Sequence, residues 1–70
     1  MKVWCLYGSD DDGLWDIELF STYEKAKELF DEYVDEKIFL YGECNVKNNF
    51  ASYYCGSHYG KFGFYEIEVK

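Results

Sequence analysis

The fold is predicted most clearly by residues 14–38, which read LWDIELFSTYEKAKELFDEYVDEKI. Over the first seven positions, apolar and acidic side chains alternate. The apolar members are Trp15, Ile17 and Leu19, and the acidic members are Asp16 and Glu18. Alternation with a period of two is typical of a strand with one buried face. We therefore predict a strand whose apolar side faces the core and whose acidic side faces solvent.

A helix is predicted directly after this strand. Ser21 and Thr22 are both N-cap candidates, and Ser21 with Glu24 fits the Ser-x-x-Glu capping box. The apolar residues that follow recur at spacings of three and four. They are Ala26, Leu29, Phe30, Tyr33 and Val34, and the pattern continues to Lys37 or Ile38. This stripe predicts an amphipathic helix of about four turns that packs on the sheet.

Further strands are predicted on both sides of this unit. Residues 2–7 are mostly apolar or aromatic and end at a turn-forming run, 8–13. Residues 63–69 alternate again and predict a closing strand. Its helix-facing side would be Tyr65, Ile67 and Val69, and its other side Phe64, Glu66 and Glu68. The residues between, 39–62, are too many for a structureless loop in a small domain, so we expect one or two short strands there and a turn at 56–60.

These elements predict an α+β fold, with one amphipathic helix on one face of an antiparallel sheet of three to five strands. Because the 70 residues contain no proline, no linker and no repeat, we expect a single domain over 1–70. The chain carries 2 Trp, 8 Tyr and 6 Phe, large side chains that a small core needs and that a disordered acidic tail lacks.

The charge balance narrows the class of partner. Fourteen acidic residues stand against seven basic ones, none of them arginine, for a net charge of −7. Binding to nucleic acid or to an anionic membrane needs clustered Lys and Arg, so we expect neither. A protein with a basic surface is the expected partner.

Cysteine usage and the N-terminus indicate the compartment. The odd set of three cysteines predicts free thiols in a reducing environment. The N-terminal apolar run reaches Gly8 and three aspartates too soon for a signal peptide, and no apolar stretch approaches membrane-spanning length. We therefore expect a cytoplasmic protein.

Two stretches resemble a known class of proteins. Residues 20–26 (FSTYEKA) and 63–69 (GFYEIEV), in this order of elements, resemble short ββαβ proteins of unassigned function that are common in bacteriophages and mobile elements. The resemblance implies a small phage-like accessory protein that works by binding another protein, in the cytoplasm of the host cell. It implies no catalytic residues.

Two acidic surfaces are candidate binding sites. The first is the helix set, where like charges recur four residues apart and stand near the helix C-terminus: Glu28, Asp31, Glu32, Asp35 and Glu36. The second is the solvent side predicted for the sheet: Asp16, Glu18, Glu66 and Glu68, extended by Asp10, Asp11 and Asp12. Carboxylates spaced on a rigid surface can imitate phosphates. The alternative for both sets is an ordinary solvated surface.

Aromatic and cysteine residues supply the remaining candidates. Tyr53, Tyr54 and Tyr59 are expected to divide between the core and a contact surface. Four residues match the ligand types of a tetrahedral zinc site: Cys5, Cys44, Cys55 and His58. Buried free thiols are the alternative.

The leading hypothesis is a non-enzymatic acidic protein-binding module without a cofactor. Its sharper form is a phage-encoded inhibitor of a host defence or nucleic-acid-binding protein, of the DNA-mimic or anti-CRISPR kind. A small zinc-stabilised structural or regulatory domain is the alternative hypothesis.

Overall fold

The computed structural model describes residues 1–69 and contains one helix packed against an open six-stranded antiparallel sheet. In chain order the elements are β1 (Lys2–Asp10), β2 (Gly13–Leu14), β3 (Glu18–Phe20), α1 (Tyr23–Tyr41), β4 (Asn45–Lys47), β5 (Phe50–Cys55) and β6 (His58–Glu68). The order across the sheet is β2-β1-β6-β5-β4, and β3 also pairs with β1. The predicted α+β class, with the helix on one face, is confirmed. The sheet has six strands where three to five were predicted, because residues 14–20 form two short strands and not one.

The strand predicted over 14–20 is divided into β2 and β3. Between them the backbone N–H of Trp15 donates to the Gly8 carbonyl at 2.9 Å, and the indole stacks on Phe62 with ring centroids 5.4 Å apart. A Cβ at Gly8 would lie 2.4 Å from the Trp15 ring, so this position has no room for a side chain. The strand is interrupted because the indole packs on the sheet at Gly8.

The helix begins one residue later than the capping box predicted. Thr22 is the N-cap, and its side chain accepts a hydrogen bond from the backbone N–H of Lys25 at 3.3 Å. Thr22 was one of the two candidates, whereas the pairing of Ser21 with Glu24 is not used. At the other end Gly42 adopts φ of 86°, which suits glycine, and its N–H donates to the Ile38 carbonyl.

The core lies between α1 and the central strands. Phe30 of the helix contacts Phe62 and Phe64 of β6, with ring centroids 5.3 Å apart in both pairs. The other buried members of this cluster are Leu6, Ala26, Ala51 and Tyr53. The predicted helix stripe therefore packs on the sheet as expected, with Lys37 rather than Ile38 as its buried C-terminal member.

The prediction of which sheet face meets the helix was wrong for most of its residues. In the observed register Glu18 lies opposite Leu6, and Glu66 opposite Trp4, which puts these acids on the helix side. Glu68 follows in the same alternation. The side chains predicted to face the helix, Leu19, Tyr65 and Ile67, lie on the other face, and only Trp15 packs against α1 as expected.

The reason is that β6 is apolar on both faces. Phe62 and Phe64 precede Glu66 on the helix side, and they, rather than Tyr65 and Ile67, fill the core. β6 begins at His58, and its N-terminal half decides which face the helix covers. Two short strands, β4 and β5, do lie within 39–62 as predicted, and the turn before β6 consists of Gly56 and Ser57.

Candidate functional site

The outer side of α1 carries a row of exposed carboxylates. Ala26, Phe30 and Lys37 are its buried residues, so positions on the opposite side of the helix face solvent. All five acids predicted for this surface are exposed: Glu28, Asp31, Glu32, Asp35 and Glu36. The structure thus brings the predicted helix set together on one accessible surface.

The row ends at an exposed aromatic side chain. Phe39 follows Asp35 by four residues and is 87% exposed, the second most exposed large apolar residue in the part of the chain described. Residues at these spacings lie along one stripe of a helix. We call Glu28, Glu32, Asp35 and Phe39 the acidic stripe; it extends about 16 Å along the axis.

Little positive charge offsets this stripe. Lys27 pairs with Asp31 at 3.0 Å, an exposed contact of small energetic value. The last turn of α1 has no basic residue, although the negative end of the helix dipole favours one there. The exposed charged residues of α1 are thus six acids against two lysines, Lys25 and Lys27, so the outer side of the helix carries a net negative charge.

Lys37, the lysine nearest the helix C-terminus, points inward. Only 8% of the residue is exposed, and its Nζ lies 5.4 Å from the ring centroid of Trp15, 5.3 Å from Tyr53 and 6.0 Å from Tyr41. The Glu36 carboxylate lies 3.6 Å from the same ammonium. These contacts hold the Lys37 charge among aromatic rings by cation–π attraction and away from the outer surface.

A cleft of about 350 Å³ runs between α1 and the edge formed by β2 and β3. Its lining includes four carboxylates: Asp10, Asp16, Glu18 and Glu36. Asp10 accepts hydrogen bonds from the Trp15 indole N–H at 2.9 Å and from the Asp12 backbone N–H at 2.8 Å. These bonds, led by the indole, lower the pKa of Asp10. Burial, reinforced by Glu18 and Glu36, raises the pKa of Tyr33 beside the cleft.

The acids predicted for the sheet surface are dispersed. Asp16 and Glu18 line this cleft, next to the helix. Glu66 pairs with Lys2 at 3.5 Å, and Glu68 lies 3.9 Å from the N-terminal amine. A single acidic array on the side of the sheet away from the helix is therefore not formed.

Of the three candidate tyrosines, the structure buries one and exposes two. Tyr53 is buried on the helix side, where it stacks on Tyr41 with centroids 5.1 Å apart. Burial raises its pKa to about 12. Tyr54 and Tyr59 lie opposite each other on β5 and β6 and are exposed. Tyr53 is a core residue, and only the other two are accessible to a partner.

The candidate zinc ligands are not brought together. Cys5 is buried in β1, Cys44 is half-buried after the helix, and Cys55 is exposed at the end of β5. His58 faces Asp11, 3.4 Å from Nδ1 to Oδ2, and stacks on Tyr41. Within residues 1–69, no group of three or more His, Cys, Asp or Glu side chains is arranged to hold a metal ion. Burial raises the pKa of the Cys44 thiol.

Two features were missed by sequence reasoning. One is the burial of the Lys37 ammonium among aromatic rings, because the sequence placed this residue on the apolar stripe only as an alternative to Ile38. The other is the aromatic character of the sheet face away from the helix. Its signal was the presence of apolar residues at both odd and even positions of β6.

The function proposed below rests on the geometry described above and not on a comparison with known proteins. No family model, curated protein or solved structure matches the chain. The likeness to phage-type ββαβ proteins stays a prediction. Within residues 1–69, no helix is both long enough and apolar enough to cross a membrane.

Proposed function

We propose that this chain is a non-enzymatic binding module whose acidic stripe contacts a protein with a basic surface. The observation that carries the proposal is the row of exposed carboxylates ending at Phe39, with Lys37 turned inward. Complementary charge speeds association and excludes acidic competitors. The net charge of −7 adds a long-range attraction to a basic partner.

Phe39 adds an exposed apolar contact to the charge of the acidic stripe. Interfaces gain most of their binding energy from a few buried aromatic or arginine residues that are surrounded by polar contacts. An exposed phenyl ring at the end of the acidic stripe fits this arrangement, with Asp35 one turn before it on the helix. Ile38 and Leu40 are also exposed and widen the apolar end of the surface.

The sharper form of the proposal is an inhibitor of a nucleic-acid-binding or defence protein. A rigid row of carboxylates along a helix can occupy a groove of Lys and Arg that otherwise holds phosphates. The phage-like order of elements supports an inhibitor of the DNA-mimic or anti-CRISPR kind that is encoded by a phage and acts in the cytoplasm of the host. Such a protein needs no catalytic group and no cofactor.

The experiment compares two variants of equal charge. One neutralises the acidic stripe with Glu28→Gln, Glu32→Gln and Asp35→Asn; the other neutralises three carboxylates outside the helix. These are Asp12→Asn, Glu43→Gln and Glu68→Gln, all at exposed positions. Wild type and both variants are used to capture partners from a lysate of the host cell.

We expect wild type and the control variant to capture the same basic protein, and the stripe variant to lose it. Neutralisation removes the like-charge pair of Glu28 and Glu32, so the stripe variant remains at least as stable as wild type. Equal capture by both variants would reject the stripe as the contact surface. Equal loss by both would mean that net charge, and not this surface, governs binding.

A further inference from the structure

The sheet face opposite α1 is a second accessible surface, distinct from the acidic stripe. Strand alternation places apolar residues of β1, β3, β5 and β6 on it, among them Val3, Tyr7, Leu19, Phe50, Tyr65 and Ile67. We call this surface the open face. Leu19 and Tyr65 lie on either side of Cys5 in the register, and Cys5 is only 2% exposed.

Aromatic rings form much of this face. Tyr7 and Tyr65 meet edge to face with centroids 5.4 Å apart. A Cβ at Gly63 would lie 3.2 Å from both the Tyr7 hydroxyl and the Phe50 ring, so these two side chains lie over the glycine. The surface is therefore continuous across the three central strands, β1, β6 and β5.

The open face carries no strand carboxylate in the part of the chain that the structure describes. The four carboxylates within strands all lie on the helix side: Asp10, Glu18, Glu66 and Glu68. The charged strand residues on the open face are Lys47, which lies opposite Phe50 in the register, and Lys61, which lies opposite Ser52. A protein of net charge −7 thus has one sheet face free of strand acids.

We propose that the open face binds a second copy of this chain, sheet against sheet. Exposed aromatic side chains on this side, with Tyr54 and Tyr59 included, offer on the order of 600 Å² per copy, near the roughly 800 Å² that each partner buries in a standard interface. The dimer has four layers, with the helices outside and the sheets about 10 Å apart.

Charge permits a second copy on the open face, although each copy has a net charge of −7. Stacking the sheets puts the two helix layers roughly 30 Å apart, well beyond the Debye length of about 8 Å at physiological salt, so their repulsion is screened. Among the described strand residues, a nucleic acid would meet two cations on the open face, Lys47 and Lys61, and it would be repelled by the acidic remainder of the molecule. The inference is independent of the proposed function, and it leaves both acidic stripes accessible.

Sedimentation equilibrium over a range of concentrations tests the proposal. Wild type is expected at twice the chain mass of 8.4 kDa. Leu19→Lys puts a charge into the apolar contact and is expected to raise the dimer Kd by more than about tenfold. Phe39→Lys, on the helix, is the matched control and is expected to leave Kd unchanged.

Circular dichroism establishes that each variant is folded, and Tyr65→Lys serves as a second test on a central strand. Wild type that stays at 8.4 kDa up to about 1 mM protein would overturn the proposal. So would a dimer that survives both open-face variants and is lost in Phe39→Lys, because the interface would then be the helix. Monomeric wild type that binds a single-stranded oligonucleotide through Tyr7 would assign the face to nucleic acid instead.

Discussion

At the scale of single residues, the most informative group is Lys37 with the rings around it. A buried ammonium is costly unless it is paired, and here Glu36 and three aromatic faces share that role. The same burial that holds Lys37 in place keeps Tyr53 out of water and raises the pKa of its hydroxyl to about 12. The packing of the core therefore holds the positive charge of Lys37 away from the outer surface of the helix.

The raised pKa of Tyr53 predicts how stability changes at alkaline pH. Folding favours the neutral phenol, so this contribution is complete below the ordinary pKa of about 10 and is lost as pH rises from 10 towards 12. Tyr53→Phe should therefore lose less free energy of unfolding over that range than wild type. Urea titrations at pH 8, 10 and 11.5 measure the free energy of unfolding of each protein. Tyr54→Phe is the control, because it removes an exposed hydroxyl. Parallel pH profiles for the two variants would contradict the assignment.

Gly8 gives a prediction about packing. Gly8→Ala places a methyl group 2.4 Å from the Trp15 ring and 2.9 Å from the Phe62 Cβ, so the indole must move. We expect a loss of about 1–3 kcal/mol in the free energy of unfolding and a change in tryptophan fluorescence. Ser9→Ala, the next residue along β1, should change neither. An unaltered fluorescence spectrum for Gly8→Ala would contradict the packing described for Trp15.

At the scale of elements, the start of the helix gives a paired test. Thr22 accepts a hydrogen bond from Lys25, whereas Ser21 precedes the cap. Thr22→Ala should lower the free energy of unfolding by about 1 kcal/mol, and Ser21→Ala should leave it nearly unchanged. Chemical denaturation of both variants decides the point, and the reverse order of effects would place the cap at Ser21.

An element was predicted well where the sequence signals for it lie close together in the chain. The helix was predicted well because caps and apolar spacing over 21–38 lie within a few residues of one another. The closing strand was recognised, but its helix-facing side was assigned wrongly. Phe64 and Tyr65 are both large and apolar, and the choice between them is made by strand pairing with residues more than fifty positions away in β1.

Features of the candidate site that depend on local signals were predicted from the sequence, and those that depend on distant residues were not. The exposure of the helix acids follows from the helix periodicity, so their exposure was predicted correctly. The break at Trp15 was not predicted, because it depends on an indole meeting Gly8 of another strand. Lys37 was assigned to the apolar stripe only as an alternative to Ile38, since two of its three aromatic neighbours, Trp15 and Tyr53, lie outside the helix.

At the scale of the whole molecule, charge is sorted between two sides. Six of the fourteen acids lie in the helix, and the four within strands share the helix side of the sheet. The opposite side is aromatic, with two lysines. This separation gives one small chain two surfaces of different chemistry, and we assign them by proposal to a basic protein at the acidic stripe and to a second copy at the open face.

The measurement that tests this separation most directly is displacement of labelled duplex DNA from the captured basic partner. Wild type and the control variant carrying Asp12→Asn, Glu43→Gln and Glu68→Gln should displace the DNA at equal concentrations. The variant with a neutralised acidic stripe should need a concentration higher by more than about tenfold. Displacement by all three proteins at the same concentration, or a stable ternary complex of partner, DNA and wild type, would contradict a role for the acidic stripe as a substitute for phosphates.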